Sequence, residues 1–287
     1  MTTARVSVLM TVYNAEKFLR PAIDSLLTQT YSDFEAIVIE NGSNDASREI
    51  IESYNEPKLR VFKFSKNIGR TQALIKAFKE SKGEFIAIQD ADDLSLPKRL
   101  ELQVKYMSKN LDVVLLGSNC DIISETGQFI NHFTPPCKPT DAYQNLAFEN
   151  IIMHSTAMFR RQVAIKAGGY PSNLAFAQDY GLWIKLAGLG KIANLPQRLA
   201  LIRHHDQSLT NVSNSRIVRS LDVIECLETV LDLNNLSHES IYRNQANKTL
   251  EYARLSRSFF RVKKIMRGAY WTYKCIFSIN ALIIKLI

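Results

Sequence analysis

Glu84-Phe85-Ile86-Ala87-Ile88-Gln89-Asp90-Ala91-Asp92-Asp93 is a short apolar run that ends in three carboxylates. It reads as a buried strand, and like charges a few ångströms apart at its end repel and raise each other's pKa. A divalent cation relieves that repulsion most simply, and hard ions such as Mg²⁺ or Mn²⁺ prefer carboxylate oxygens. Asp90 and Asp92 are two apart in an extended chain, so their side chains point the same way, toward a metal that carries a phosphate-containing ligand. The cluster also reads as the N-cap of a helix opened by Pro97, with Asp93 as the capping member.

Upstream, strand and helix patterns alternate. Residues 6–11 read as a strand and 15–29 as a helix with Phe18, Leu19, Ile23, Leu26 and Leu27 on one face. A strand at 34–39 precedes Ser43-Asn44-Asp45, which can cap a helix running to about Tyr54. A strand at 59–64 and a helix at 71–80 lead back to the acidic strand. This alternation predicts a mainly parallel sheet with helices on both faces, its ligands bound beyond the carboxyl ends of the strands. Thr11, Glu40, Asn41 and Asp90 all fall there.

Downstream, a helix is expected over 98–108, a strand over 113–120 and a turn at Glu125-Thr126-Gly127. Pro135, Pro136 and Pro139 break the pattern before a helix at 141–148. A short strand at 156–159, a turn at Gly168-Gly169 and a helix at 177–186 carrying Trp183 follow. After about Asn214 only helices are expected, at 217–231, at 238–260 and in a last segment to the end.

With 287 residues, 46% hydrophobic and 22% charged, the chain has the make-up of one or two soluble globular domains. No signal peptide is expected ahead of the first strand. Cys120, Cys137, Cys226 and Cys275 are scattered without a C-x-x-C pair, which argues against a zinc site or disulfide framework and for a reducing cytosol. The net charge of +8 is uneven: from residue 243 onward ten Lys or Arg face one acid, Glu251, whereas the first 242 residues hold 26 bases against 27 acids. Within that tail, Arg257, Arg261, Lys263, Lys264 and Arg267 interleave with Phe259, Phe260, Tyr270, Trp271, Tyr273 and Phe277. The last thirteen residues are mostly apolar but fall short of the ~20 that span a bilayer. Such a tail suits an anionic membrane surface, or else packs back on the protein with a solvated basic face. Nucleic acid is not an expected partner, since no recognition motif accompanies the charge.

Four segments together resemble family 2 of the inverting GT-A glycosyltransferases. Val6-Ser7-Val8-Leu9-Met10-Thr11-Val12-Tyr13-Asn14 resembles the family's opening strand and turn. Ile39-Glu40-Asn41-Gly42-Ser43-Asn44-Asp45 resembles its D-D-G-S-x-D segment, and residues 83–93 its D-x-D strand. Ala177-Gln178-Asp179-Tyr180-Gly181-Leu182-Trp183 resembles its E/Q-D-x-x-L-W helix, and the likeness runs in the family's order over about residues 5–210. It implies a GT-A catalytic domain over 1–212, with a nucleotide-sugar half to about 120 and an acceptor half beyond, and a helical basic extension over 213–287.

By the same resemblance, Asp90 contacts the nucleotide ribose and Asp92 holds a Mn²⁺ or Mg²⁺ ion on the diphosphate. Thr11, Tyr13, Glu40, Asn41 and Ala91 lie about the nucleotide-sugar, as do Asn67, Gly69 and Arg70 of an N-x-G loop. Asn41 departs from the family, whose usual Asp accepts the uracil N3–H. Arg203-His204-His205 with Ser208 resembles an R-x-H-x-x-S segment and puts His205 on the metal or a phosphate oxygen. His154, Gln178 and Trp183 fall on the acceptor side. Asp179 becomes the base, although from the residues alone it is equally a first-turn helix carboxylate. The implied partners are a nucleotide-sugar, most simply a UDP-sugar, and a lipid-linked or cell-surface glycan at the inner face of the cell membrane. Two other readings stay open. A nucleotidyltransferase would need a Gly-rich phosphate loop, which Thr11 to Lys17 lacks. A non-catalytic membrane-associated module would not need Asp90, Asp92 and Asp179.

Overall fold

A computed structural model describes residues 5–206, 216–261, 267–268, 270–275 and 278. Strands β1 (Val6–Val12), β2 (Phe34–Asn41), β3 (Leu59–Phe64) and β4 (Phe85–Ile88) pair in parallel in the order β3-β2-β1-β4. Helices α1 (Glu16–Leu27), α2 (Ser47–Glu52) and α3 (Arg70–Glu80) connect them. β1, β2 and β4 are buried almost throughout, as befits parallel strands covered on both faces. Period-two alternation divides their side chains between two cores. Leu9, Ile37 and Ile86 meet Leu74 of α3 on one face, while Val8, Met10, Val38 and Ala87 meet Leu19, Ile23 and Leu26 of α1 on the other.

Beyond β4 the pairing direction changes. β8 (Met158–Arg160) lies antiparallel to β4 and to β6 (Val113–Ser124), and β6 pairs in parallel with β9 (Lys191–His204). β5 (Leu94–Ser95) closes that edge against β9, and β7 (Phe129–Phe133) folds back on β6. The single nine-stranded sheet is mainly parallel along its longest ladders, as expected. α4 (Arg99–Lys109), α5 (Pro139–Leu146), α6 (Arg161–Lys166) and α7 (Gln178–Ala187) flank it. The fold class read from the sequence, mixed α/β with helices about a central sheet, is the one found.

β9 has no counterpart in the sequence reading, nor have β7 and α6. Ser118 pairs with Leu195 but Asn119 with Arg198, so Pro196 and Gln197 bulge from the ladder. Proline lacks the N–H a ladder requires, and this polar break splits one long strand into two short apolar pieces. The Asn119 amide spans the bulge by donating to the Pro196 carbonyl at 2.9 Å.

α8 (Arg216–Thr229) and α9 (His238–Arg261) form close to the expected limits. Asn244 of α9 donates to the carbonyls of Ala147 and Leu227, both at 2.7 Å, and Asn247 to that of Phe148 at 2.7 Å. Trp271 stacks on Tyr252 at 5.7 Å, within a cluster that includes Ile224 and Leu255. Part of the aromatic tail therefore packs back on the extension, while Tyr270 and Tyr273 remain exposed. Among the described residues no helix is long and apolar enough to cross a membrane.

Candidate active site

The carboxyl ends of β1, β2 and β4 open into a cleft of about 960 Å³. Thr11 near the end of β1 and Tyr13 just after it, Asn41 at the end of β2, Asn67 and Gly69 before α3 and Arg70 at its start line it. Asp90, Ala91 and Asp92 after β4, and Arg203 and His205 from the end of β9, complete the wall. These sequence-chosen residues converge because parallel strands deliver their loops to one edge of the sheet.

The loops after β1 and β2 hold each other. Asp45 Oδ1 accepts the Ser47 N–H at the start of α2, and its Oδ2 accepts the Glu16 N–H at the start of α1, both at 3.0 Å. One carboxylate thereby satisfies two helix termini. Ser43 Oγ accepts the Asn14 N–H at 3.2 Å, and Asn14 Oδ1 accepts the Asn44 N–H at 2.9 Å. Ser47 Oγ takes the Ala15 N–H at 2.8 Å. Gly42 has φ +71°, and a Cβ there would lie 2.4 Å from the Lys66 carbonyl carbon, so only glycine fits.

Glu40 departs from its expected role. It is fully buried; Oε1 accepts the Ser43 N–H at 2.6 Å and Oε2 receives Arg48 Nη2 at 2.6 Å. Burial pushes its carboxyl up, but Ser43 and Arg48 outweigh this and hold it below the usual range. Both oxygens are spent on the loop, so Glu40 braces the turn after β2 without lining the cleft. Asn41 is fixed as well: Oδ1 accepts the Ile68 N–H at 3.0 Å and Nδ2 donates to Asn67 Oδ1 at 3.1 Å.

The three carboxylates after β4 have three different surroundings. Both Asp90 oxygens receive Arg70 Nη2 at 2.7 Å, and His154 Nδ1 lies 3.1 Å from Oδ1. Burial raises the Asp90 carboxyl, yet Arg70 and then His154 overcome it and hold it far below the ordinary value. Asp92 Oδ2 sits 2.9 Å from His205 Nε2, and both side chains border the cleft. Asp93 is buried, accepts the Ser155 hydroxyl at 2.5 Å and accepts the Arg203 N–H at 2.7 Å. Burial first, then Asp92 and Asp90, push its carboxyl well up. Asp93 therefore does not cap α4, whose N-cap Lys98 makes no side-chain cap; it ties the end of β9 to the acidic turn.

Three residues expected on the acceptor side lie beneath the site instead. His154 is buried behind the Asp90–Arg70 pair, with Nε2 3.2 Å from the Tyr170 hydroxyl. Trp183 is fully buried, donates to the Ile152 carbonyl at 3.3 Å and packs edge-on against Phe159. Gln178 is buried, its amide nitrogen best placed toward the carbonyls of Ala175 and Phe176. An indole and an amide with their donors satisfied inside a core are supports, not substrate contacts.

Asp179 stands in the first turn of α7, half-buried, and accepts Asn150 Nδ2 at 2.9 Å. Burial lowers the pKa of Arg70, but the charges of Asp90, Asp179 and Asp92 outweigh it and raise it; of the three, Asp90 is the one in contact with the guanidinium. Two residues named in the sequence reading are given no site role there. Arg203 donates to the carbonyls of Asp92, Ser124 and Glu125 at 3.0, 3.2 and 2.8 Å, and its guanidinium lies 4.9 Å over the Phe18 ring. Phe18, expected among the core-facing residues of its helix, lies half-buried along the cleft and also packs 4.8 Å from His205. The pattern Arg203-His204-His205 marked the segment; nothing in sequence marked its aromatic shelf. Ser208 lies outside the described residues.

Among the described residues no group of three or more His, Cys, Asp or Glu could hold an ion alone. Asp92 Oδ2 and His205 Nε2, however, are 2.9 Å apart, about the spacing of two adjacent ligands on an ion with bonds near 2.1 Å. The donor set fits a Mg²⁺- or Mn²⁺-type ion that takes its other ligands from phosphate and water.

A family model described as Glycosyl transferase family 2 matches residues 7–168, more than half of the chain. Over 185 residues the chain is 38% identical to MJ1057, an uncharacterized glycosyltransferase of Methanocaldococcus jannaschii, and the match covers 63% of each. It is 37% identical over 184 residues to WbnJ, an O-antigen biosynthesis glycosyltransferase of Escherichia coli, covering 63% of this chain and 71% of that one. The chain thus matches just under two thirds of the length of the archaeal relative. S. aureus TarS in complex with UDP-GlcNAc superposes with a TM-score of 0.65 at 16% identity, over 97% of this chain and 90% of that one. The mannosyltransferase PcManGT from Pyrobaculum calidifontis, in complex with GDP-Man and Mn²⁺, does so with a TM-score of 0.63 at 17% identity, over 97% and 81%. At such identities the likeness is one of fold, the GT-A fold.

Proposed function

The chain belongs to glycosyl transferase family 2, and from that premise we propose that it is a metal-dependent, inverting glycosyltransferase whose donor is a nucleotide-sugar, first of all a UDP-sugar. The observation that carries the reading is the pairing of Arg70 with Asp90 beside Asp92 on the wall of one cleft, with the charge of Asp179 also acting on that guanidinium. Asp179 takes the proton of the acceptor hydroxyl as its oxygen attacks the anomeric carbon; the carbon–oxygen bond to the diphosphate breaks on the opposite face, and the nucleoside diphosphate leaves. Asp92 and His205 would hold the ion. A divalent cation bound there neutralises charge growing on the departing diphosphate. Asp90, fixed by Arg70 and His154, is oriented to accept from the ribose. The locked Asn41 amide retains one hydrogen and one lone pair, a donor–acceptor pair that complements the imide edge of uracil.

Asp179→Asn tests the reading. We expect UDP affinity in Mn²⁺ to stay within about twofold while release of UDP from the donor falls by about 10²- to 10⁴-fold. Unchanged turnover would remove Asp179 from the mechanism. Release of UDP, rather than of pyrophosphate, separates sugar transfer from nucleotidyl transfer.

A lipid-linked or polysaccharide acceptor at a membrane surface accords with the O-antigen biosynthesis named for WbnJ of E. coli and with the exposed Arg254, Arg257 and Arg267 of the extension. Reversing these three charges should release the protein from vesicles rich in anionic lipid, read by co-sedimentation. Undiminished binding would exclude them as a docking surface.

A further inference from the structure

α8 lies outside the residues matched by the family model, yet it grips the segment that leads into α7. Asp222 is only 6% exposed, and its Oδ2 accepts the backbone N–H of Phe176 at 2.7 Å and of Ala177 at 3.3 Å. One helical turn on, Glu225 accepts Asn173 Nδ2 at 2.5 Å, and the Cys226 thiol lies 3.8 Å from the Ala177 carbonyl. A buried carboxylate is costly unless charge-assisted hydrogen bonds return the lost hydration. Here both N–H groups belong to the entry of α7, where the helix dipole adds to the attraction. Phe176 lines the cleft, and Asp179 stands two residues beyond Ala177. The only described side-chain hydrogen bond on Asp179 itself comes from Asn150.

We infer that Asp222 is a positioning residue for Asp179: the C-terminal extension sets the angle and depth of the α7 N-terminus, and with it the placement of the base against the acceptor hydroxyl. Asp222 does not line the cleft, and its hydrogen bonds go to Phe176 and Ala177 rather than to the residues assigned to nucleotide and metal. Its loss therefore acts on the chemical step and spares donor binding. A displacement of the order of 1 Å between base and reacting atom costs up to ~10²-fold in rate. A carboxylate that merely fastened the extension to the domain would leave the turnover of the folded enzyme unchanged.

The experiment uses the full chain, Mn²⁺, UDP as the binding probe and the UDP-sugar that the wild type hydrolyses fastest. Asp222→Leu should lower kcat about 10- to 100-fold, with UDP affinity and donor KM within about twofold of wild type. Asp222→Asn keeps an acceptor oxygen but loses the charge, so it should lower kcat only about two- to fivefold. Should the Leu variant fail to fold, the Asn variant decides: a reduced kcat at unchanged donor KM supports positioning, and a wild-type kcat overturns it. Because this role presupposes Asp179 as the base, Asp179→Asn is measured alongside. If Asp179→Asn abolishes UDP release while Asp222→Leu folds and turns over normally, positioning alone fails. If Asp179→Asn turns over normally, or the wild type releases UDP from no donor, the proposed function fails and this role with it.

Discussion

On one side of the cleft, which we propose takes the nucleotide, Asn14, Ser43, Asp45 and Ser47 bind backbone N–H groups of two neighbouring strand-to-helix loops. On the opposite side, Asp179 leans on Asn150, and the approach to its helix leans on Asp222 of the C-terminal extension. The loops after β1 and β2 are held by contacts made within consecutive βα units. The opposite wall is assembled from pieces far apart in the chain, so its geometry depends on how the extension docks. A wall built locally suits a nucleoside diphosphate, which many transferases share. A wall built from a distance suits the part that must fit a particular acceptor.

The comparison breaks most sharply at Asp92. Asp92→Ala removes a proposed metal ligand without touching the Asp45–Asn14 loop pairing. We expect Mn²⁺-dependent UDP binding to weaken by about 10²-fold with little change in thermal stability. Binding that stays independent of Mn²⁺ in both proteins would take the metal out of the nucleotide wall. Arg70→Met comes next, because Arg70 is hydrogen-bonded to Asp90 and also feels the charge of Asp179. The pair is about a quarter exposed, so its loss should cost about 1–2 kcal/mol, less than a fully buried ion pair. The Asp90 carboxyl lies far below its ordinary value, so its contribution is present above about pH 4 and lost as pH falls through the native value. The variant has that contribution no longer, and its acid limb should be flatter than that of the wild type in urea unfolding. Superimposable limbs would assign the low Asp90 pKa to His154 instead of Arg70.

What the sequence discloses follows the same division. Strand-to-helix alternation and the acidic end of β4 are local patterns, and they located Asp90, Asp92 and the Asp45 cap. Glu40 misled because its partner, Arg48, is eight residues away, with nothing in the spacing to show that the carboxylate turns inward. Trp183 misled because a motif position was read as a contact, although an apolar residue in mid-helix is more often core. Asp222 left no mark at all. An isolated carboxylate on an amphipathic helix looks solvated, and only the docking of α8 shows its oxygen against the entry of α7.

The smallest expected effect concerns Asp93, where the two walls are tied. Its carboxyl is buried, accepts from Ser155 and Arg203, and is pushed well up, first by burial and then by Asp92 and Asp90. Between about pH 4, where an unfolded Asp ionises, and its native value, the folded protein holds a proton that the unfolded chain has shed. Stability from this group therefore falls as pH rises across that window. Asp93→Asn keeps the acceptor for the Arg203 N–H, offers an amide N–H to Ser155 and has no proton to lose. The variant should resemble the wild type near pH 4 and exceed it by a margin that grows as pH rises toward 7, measured by urea unfolding across that range. Arg99 supplies the opposing case. It is fully buried, its four described hydrogen bonds run to neutral oxygens, and burial lowers its pKa to about 10, with Asp93 and then Asp90 resisting. If Arg99 is the counter-charge that keeps Asp93 ionised, Asp93→Asn strands a buried guanidinium and loses stability at pH 7. The sign of that one difference decides whether the joint between the walls is a neutral hydrogen-bonded carboxyl or half of a buried charge pair.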